Sequence, residues 1–563
     1  MKKKWVFKGL PDESHLKELQ LSLGINSILC KLLLQRGIKS FDEAKEYFRP
    51  SIGMLHDPFE MKGMDIAVDR LTNAIFNSEK ILIYGDYDVD GTTSVALLYN
   101  FLIPFTTNLF TYIPDRYTEG YGISKQGIQW AIEHDIKLFI ALDCGIRANE
   151  TLKVAEKKGI DVIICDHHLP GEQLPSAVSI LDPKQSDCQY PYKELSGCGI
   201  GFKLLEGFCQ QNGIEIEKLY KFLDLVAVSI ASDIVPVTGE NRTLAHFGMK
   251  KINSLPTAGL GALIEKAGLT QPLSISDVVF GIGPRINAAG RINHAKTALD
   301  LLTQETKEDA YVFAEKLNLE NNDRKHYDES ITKEALQMIA DEGQTDLSST
   351  VLFKKNWHKG VIGIVASRCI ERYYKPTIIM TESDDHVVGS ARSINGFDIH
   401  DAIGQCSEHL EQFGGHKYAA GLTLKKENVE GFKNAFEAVS SKQLSKEDRI
   451  QTLPIDLEIG LNEIDFSFFN ILKQLGPFGP QNMQPVFCTR NVTLKRDPRV
   501  LKEKHLKLFV NQMGSGNTFD VIGFGLGHFH DQLNKPFDIV YTIEENHFRG
   551  ETTLQLNLKD IAV

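Results

Sequence analysis

The chain has 563 residues, more than one hydrophobic core sustains, so three or four domains are expected. Hydrophobic residues at 42% and charged residues at 24% are ordinary for a soluble globular protein, and a net charge of −12 excludes a broadly basic coat, so any nucleic acid needs a restricted basic track or metal ions among carboxylates. No apolar stretch could span a bilayer, the basic start Met1-Lys-Lys-Lys lacks a secretory pattern, and nine dispersed cysteines without a Cys-x-x-Cys pair predict reduced thiols in a cytoplasm, not a zinc module or disulfide framework.

Up to about residue 70 the pattern predicts short helices, broken at Pro50, without evident chemistry. From there to about residue 240, short apolar runs alternate with helical patterns. The runs Lys80-Ile-Leu-Ile-Tyr84, Leu138-Phe-Ile-Ala-Leu142 and Asp161-Val-Ile-Ile-Cys165 suit strands buried on both faces. Such alternation implies a parallel sheet, which binds ligands at the carboxyl ends of its strands. Residues 291–342 contain neither Gly nor Pro and predict one long helix joining two bodies. Val351-Leu-Phe353 and Thr377-Ile-Ile-Met380 then begin a second α/β unit carrying Gly389-Ser-Ala-Arg392 and Gly414-Gly-His416. A polar stretch from Ser440 to Asp448 predicts a linker, and the strand-rich remainder suits one small β-barrel. The expected α/β architecture is a helical lead over 1–70, a parallel-sheet catalytic domain over 71–300, a connecting helix over 301–345, a smaller α/β domain over 346–440 and a β-barrel over 450–563.

The polar clusters at the strand ends carry the chemistry. Asp86, Asp88 and Asp90 alternate, so in an extended segment they share one side, and three carboxylates so close repel unless cations lie between them. A solvated acidic turn is the plain alternative. An EF-hand loop fails, because Leu97 stands where its terminal Glu belongs. Asp143 follows the second run and could simply cap a helix. Asp166-His167-His168 follows the third, offering the carboxylate and imidazole that Mn²⁺ or Mg²⁺ sites with phosphate ligands use. Asp233 ends an apolar helix, where a negative charge gains nothing from the helix dipole and a cation opposite would explain it.

Together and in this order, these residues resemble the DHH phosphoesterase superfamily, and the second unit is similar to its companion DHHA1 domain. With a terminal OB-like barrel the arrangement resembles the RecJ-type exonucleases over nearly the whole chain. The resemblance implies two divalent ions, Mn²⁺ or Mg²⁺, about 3.5–4 Å apart. Asp88 and Asp143 would hold one. Asp90, Asp143, His167 and Asp233 would hold the other, with Asp143 bridging and His168 facing the scissile phosphate. One departure stands out: many superfamily members have His where Tyr84 stands, and Asp86 is the candidate to fill that place. Asp166 would either orient His167 or touch metal itself.

The resemblance also implies DNA contacts. Arg116 would meet the strand near its 5′ end and Tyr121 would narrow the entrance; a salt bridge to Asp115 or Glu119 is the ordinary reading of Arg116. Ser390 and Arg392 suit a 5′-phosphate pocket. Arg285, Asn287 and Arg291 are candidates for strand phosphates, with structural hydrogen bonding as their alternative, and His416 is a further candidate. Trp357 reads as core. Seven Lys or Arg between Arg490 and Lys507 suit the strand-tracking face of an OB fold, or else ordinary solvated strands. The expected function is metal-dependent 5′-to-3′ hydrolysis of single-stranded DNA in repair and recombination, by a cytoplasmic monomer working with a single-strand-binding protein and a helicase. Two rivals remain: a superfamily phosphodiesterase for short oligonucleotides or cyclic dinucleotides, and a non-catalytic replication scaffold. Removing residues after about 450 is expected to weaken binding of long strands and spare cleavage of very short ones.

Overall fold

The computed structural model describes residues 3–563, which form two compact units. The first comprises Arg36–Asn322 and Asn470–Gln484. At its centre is an all-parallel five-stranded sheet in the order Leu109–Tyr112, Ile81–Gly85, Leu138–Leu142, Asp161–Cys165, Ser179–Leu181. The apolar runs are continuous because each face has its own core. Ile81, Ile83, Leu138, Ile140, Leu142 and Ile163 point into a layer with the helices Met64–Phe76, Val89–Leu102, Gly197–Asn212 and Leu223–Ser232. Leu82, Tyr84, Phe139, Ala141, Val162 and Ile164 meet the helices Lys125–Glu133 and Asn149–Lys157 on the other side. Gly85 pairs with Leu142, and Leu142 with Cys165. The next residue of each strand therefore emerges level with the others, and these are Asp86, Asp143 and Asp166.

The second unit comprises the described residues up to Gln35, Asp323–Phe469 and Pro485–Val563. It holds a five-stranded sheet in the order Gln412–His416, Ala419–Leu424, His386–Arg392, Thr377–Ser383, Thr350–Phe353, antiparallel except for the last pair. The helix Val429–Gln443 packs Phe432 and Phe436 on one face, and Ile362–Tyr373 packs Val365 and Ala366 on the other. The terminal strands Phe487–Leu494, Phe537–Phe548, Glu551–Ala562, Thr518–Gly523 and His505–Gln512 pair in that order, and the last returns to the first. That closure makes the OB barrel.

Three expectations change. The helical lead contains a strand, Lys4–Phe7, parallel to Thr452–Ile455, with Trp5 Nε1 donating to Asp560 at 2.8 Å. Four residues with a partner so distant in sequence leave no local period to read. The Gly- and Pro-free stretch from 291 is not one helix: Gly283–Ile292 ends there, Lys296–Leu302 follows, and the long helix is Lys307–Asp341. Thr306 supplies the start, its hydroxyl accepting from Asp309 N at 3.2 Å, as helix caps do. The polar stretch from Ser440 begins as the last turn of Val429–Gln443, not as a linker. Among the described residues no helix is long and apolar enough to cross a membrane.

Candidate metal centre

Asp86, Asp88 and Asp90 do not share one extended side, because the chain turns into the helix Val89–Leu102 between them. Asp88 caps that helix, accepting from Gly91 N at 3.1 Å. Asp90 lies in the first turn, fully buried, and accepts from Gly197 N at 2.7 Å, Cys198 N at 2.8 Å and Ser229 Oγ at 2.8 Å. The amino end of a second helix thus holds this carboxylate in place. Asp143 has a φ of 58°, in the left-handed region, and is buried. Gly197 makes room for it: a Cβ there would stand 2.7 Å from that of Asp143.

His167 completes the cluster. Its Nε2 lies 3.2 Å from Asp143 Oδ1, 3.5 Å from Asp233 Oδ2 and 4.0 Å from Asp90 Oδ2. Burial, reinforced by the charge of His168, pushes this imidazole down to about 3, so it is neutral in the metal-free protein. Burial also raises its neighbours, Asp90 to about 6 with Asp88 adding repulsion, and Asp143 and Asp233 well above the ordinary carboxylate range. Among the described residues, neither ring nitrogen of His167 nor Oδ1 of Asp143 has a hydrogen-bond partner. Buried polar atoms left so are costly unless a cation binds them. The ligand atoms of Asp90, His167 and Asp233 lie within 4.8 Å of one another, as do those of Asp143, His167 and His168. This donor set fits divalent ions that take carboxylate and imidazole. Asp86 and Asp88 lie outside both triads; Asp86 is buried, with Gly122 N 3.4 Å from its Oδ1.

Asp166 turns toward His168 instead of the ring of His167. Its Oδ1 meets His168 Nδ1 at 2.7 Å and accepts from the backbone amides of His167 and His168, while Oδ2 accepts from Ile146 N at 2.9 Å. Burial alone would raise Asp166, but the His168 contact and these amides hold it at about 2. Burial lowers His168, and the Asp166 hydrogen bond more than offsets that, lifting it to about 9. In the metal-free protein His168 is therefore a cation at neutral pH, with Nε2 3.0 Å from the Tyr121 hydroxyl. Tyr84 points to the opposite face of the sheet, its hydroxyl donating to Gly122 O at 2.8 Å and accepting from Ser124 N at 3.0 Å. It stands apart from the carboxylates.

Other candidates are placed as follows. The Arg116 guanidinium covers the Tyr87 ring at 4.4 Å, while Asp115 and Glu119 are engaged by Thr118, Tyr112 and Ser124. Tyr121 is 58% exposed, open to a ligand beside His168. Arg285 is buried and donates to Gly281 O at 2.6 Å and Asn318 Oδ1 at 3.0 Å, the structural alternative. Asn287 and Arg291 are half-buried on the same helix. In the second unit, Arg392 Nη1 donates to Ser390 Oγ at 3.1 Å. The helix Ile362–Tyr373 reaches this pair at Gly363, where a Cβ would stand 2.8 Å from Ser390 Oγ. His416 is exposed, two strands from Arg392 in the same row. Trp357 is buried, donating to Glu334 at 2.8 Å. On the barrel Arg490 pairs with Asp538 and Lys507 with Asp520, whereas Lys495, Arg499, Lys502 and Lys504 are exposed. Sequence reading missed Ser229, Gly197 and Cys198 as the groups that hold Asp90; the Gly197-Cys-Gly-Ile-Gly201 run was the available signal.

Comparison with known proteins adds three family models: the DHH family N-terminal domain over residues 80–230, the DHHA1 domain over 343–442 and the RecJ OB domain over 455–560. The chain is 35% identical to the single-stranded-DNA-specific exonuclease RecJ of Bacillus subtilis, over 100% of this chain and 71% of that protein. It is 32% identical to the RecJ of Escherichia coli, over 95% of each. The crystal structure of RecJ from Thermus thermophilus in complex with Mn²⁺ matches with a TM-score of 0.86 and 26% identity, covering 100% of this chain and 79% of that one.

Proposed function

The chain belongs to the RecJ family, and on that premise we propose that it is a metal-dependent exonuclease that hydrolyses phosphodiester bonds of single-stranded DNA from the 5′ end. The observation that carries the reading is the meeting of Asp90, Asp143, Asp233 and His167, where the buried ring nitrogens of His167 and Oδ1 of Asp143 are left for a cation to bind. Asp90, Asp143, His167 and Asp233 would hold one divalent ion and Asp88 with Asp143 the other, with Asp86 beside them. When bound, such ions activate water for attack and offset charge on the leaving oxygen.

The residues around them do the rest. His168, kept cationic by Asp166, donates from Nε2 toward a phosphate oxygen, where charge builds up in the transition state. Tyr121 and Arg116 hold a single strand at the entrance. Ser390 and Arg392 take the 5′-phosphate, and the exposed barrel lysines and arginines track the backbone. All nine cysteines are buried and unpaired, which supports a reducing cytoplasm. A monomer acting in repair and recombination with a single-strand-binding protein and a helicase is the expected setting. A scaffold role is disfavoured, because a chain released from catalysis has no reason to keep a buried cluster of like charges.

The direct test digests single strands labelled at the 5′ or the 3′ end, beside a blunt duplex, with Mn²⁺ or with chelator. Metal-dependent release of 5′-labelled mononucleotide from single strands alone is expected; early release of the 3′ label would reverse the polarity. A second expectation concerns Arg392→Ala. Loss of a charge-assisted phosphate contact costs about 1.5–3 kcal/mol. The preference for phosphorylated over hydroxyl 5′ ends, measured as a ratio of initial rates, should fall accordingly. An unchanged ratio would place the pocket elsewhere.

A further inference from the structure

Asp233 caps the carboxyl end of the helix Leu223–Ser232, and the chain leaves it through Ile234, whose φ of 60° lies in the left-handed region. A β-branched residue rarely takes that conformation, and it persists only where the surroundings over-determine it. Just beyond it the chain meets a segment from far along the sequence, Asn470–Gln484, which belongs to the catalytic unit although the residues on either side of it build the second unit. Val237 N donates to Pro480 O at 2.9 Å. Gly479 lies against the same residue so closely that a Cβ there would stand 2.3 Å from Val237 Cγ2. Pro236 O accepts from Tyr192 at 3.2 Å and Asn241 at 3.0 Å, so the far end of the turn is held.

The segment is itself tied down. Asn482 is 3% exposed, and its side chain uses all of its hydrogen-bonding capacity. Oδ1 accepts from Arg36 Nε at 2.9 Å and the Tyr47 hydroxyl at 2.8 Å, and Nδ2 donates to Leu475 O at 3.0 Å and Pro477 O at 2.9 Å. Arg242 donates to Gly476 O at 2.7 Å and lies 3.8 Å over the Tyr47 ring. The four hydrogen bonds of Asn482 make this segment a rigid support.

We propose that Gly479 and Asn482 are positioning residues for Asp233: the segment clamps the turn Ile234–Val237 in its strained form and so aims the Asp233 carboxylate at His167. The inference rests on reading Asp233 as a metal-binding group. Its test is Mn²⁺ titration of the full chain by calorimetry, with circular dichroism to verify folding. Gly479→Ala drives a methyl into Val237 and should weaken Mn²⁺ binding about tenfold, the scale on which outer partners of a metal site act. Val237→Ala in the same chain removes the opposing methyls and should restore affinity. Should Gly479→Ala fail to fold, Tyr47→Phe, which removes one bond to Asn482 without adding bulk, carries the same expectation at smaller size. Wild-type affinity in Gly479→Ala or, in its place, Tyr47→Phe, or a defect in Gly479→Ala that Val237→Ala does not repair, overturns the clamp. Asp233→Asn separates the two readings. If it weakens Mn²⁺ binding while the clamp variants do not, only the clamp is wrong; if it binds Mn²⁺ as wild type does, the ligand assignment fails and takes the clamp with it.

Discussion

Asp143→Asn should abolish hydrolysis and at the same time raise the stability of the metal-free protein at neutral pH. The loss should exceed the roughly 10–100-fold that removing an outer partner of a metal site costs. Asp143 is the carboxylate nearest His167 Nε2, at 3.2 Å, and its Oδ1 has no other use. The gain follows from the same burial. Desolvation first, then the charges of Asp90 and Asp88, raise the Asp143 carboxyl well above the ordinary range. A carboxyl whose folded-state value is raised binds its proton more tightly in the folded chain than in the unfolded one. Metal-free stability is therefore highest below the unfolded value and falls as pH climbs toward the raised folded value. Asparagine carries no such charge, so its melting temperature should decline less between pH 4 and 7. Mn²⁺ should reverse the order, because an ion that binds only the folded state stabilises wild type by an amount that grows with the logarithm of its affinity. Thermal melts in chelator and in Mn²⁺ across pH give both halves of the result. Near-normal hydrolysis at saturating Mn²⁺ would remove Asp143 from the centre.

Truncation after residue 450 should abolish cleavage of very short oligonucleotides as well as long strands. Sequence reading predicts the opposite, because it treats everything beyond that point as an accessory barrel. Asn470–Gln484 is instead part of the catalytic unit. Its removal takes away the partners of Arg36, Tyr47, Arg242 and Val237 at once. Each lost hydrogen bond costs about 1 kcal/mol, and more where a buried donor such as Arg242 is stranded. The turn that follows Asp233 loses its support in the same step. A trimer substrate and a long strand, assayed with wild type and truncation across a salt series, decide the matter. If the truncation keeps its rate on the trimer and loses only the long strand, the segment is dispensable and the barrel acts alone in gripping DNA.

The parallel sheet and its chemistry were legible in the chain for one reason: strands buried on both faces need unbroken apolar runs, and such runs stop where the strands end. Asp86, Asp143 and Asp166-His167-His168 stand at those stops, and the pairing of Gly85, Leu142 and Cys165 brings the stops level. The barrel was legible as strand-rich sequence with turn signals, and the second α/β unit from its Gly-rich strands. Tertiary structure alone decided which groups serve which. Asp88 and Asp90 are two residues apart, yet one caps a helix and the other is held by amides of Gly197 and Cys198. Asp166 holds His168, not the His167 ring, and Tyr84 faces away from the cluster. Lys4–Phe7 finds its strand partner at Thr452–Ile455, and Asn482 finds its own at Arg36 and Tyr47. Periodicity and strand ends report what a residue does to its immediate neighbours, whereas these pairings exist only because folding brings distant backbone donors and acceptors out of water together, where each must find a partner.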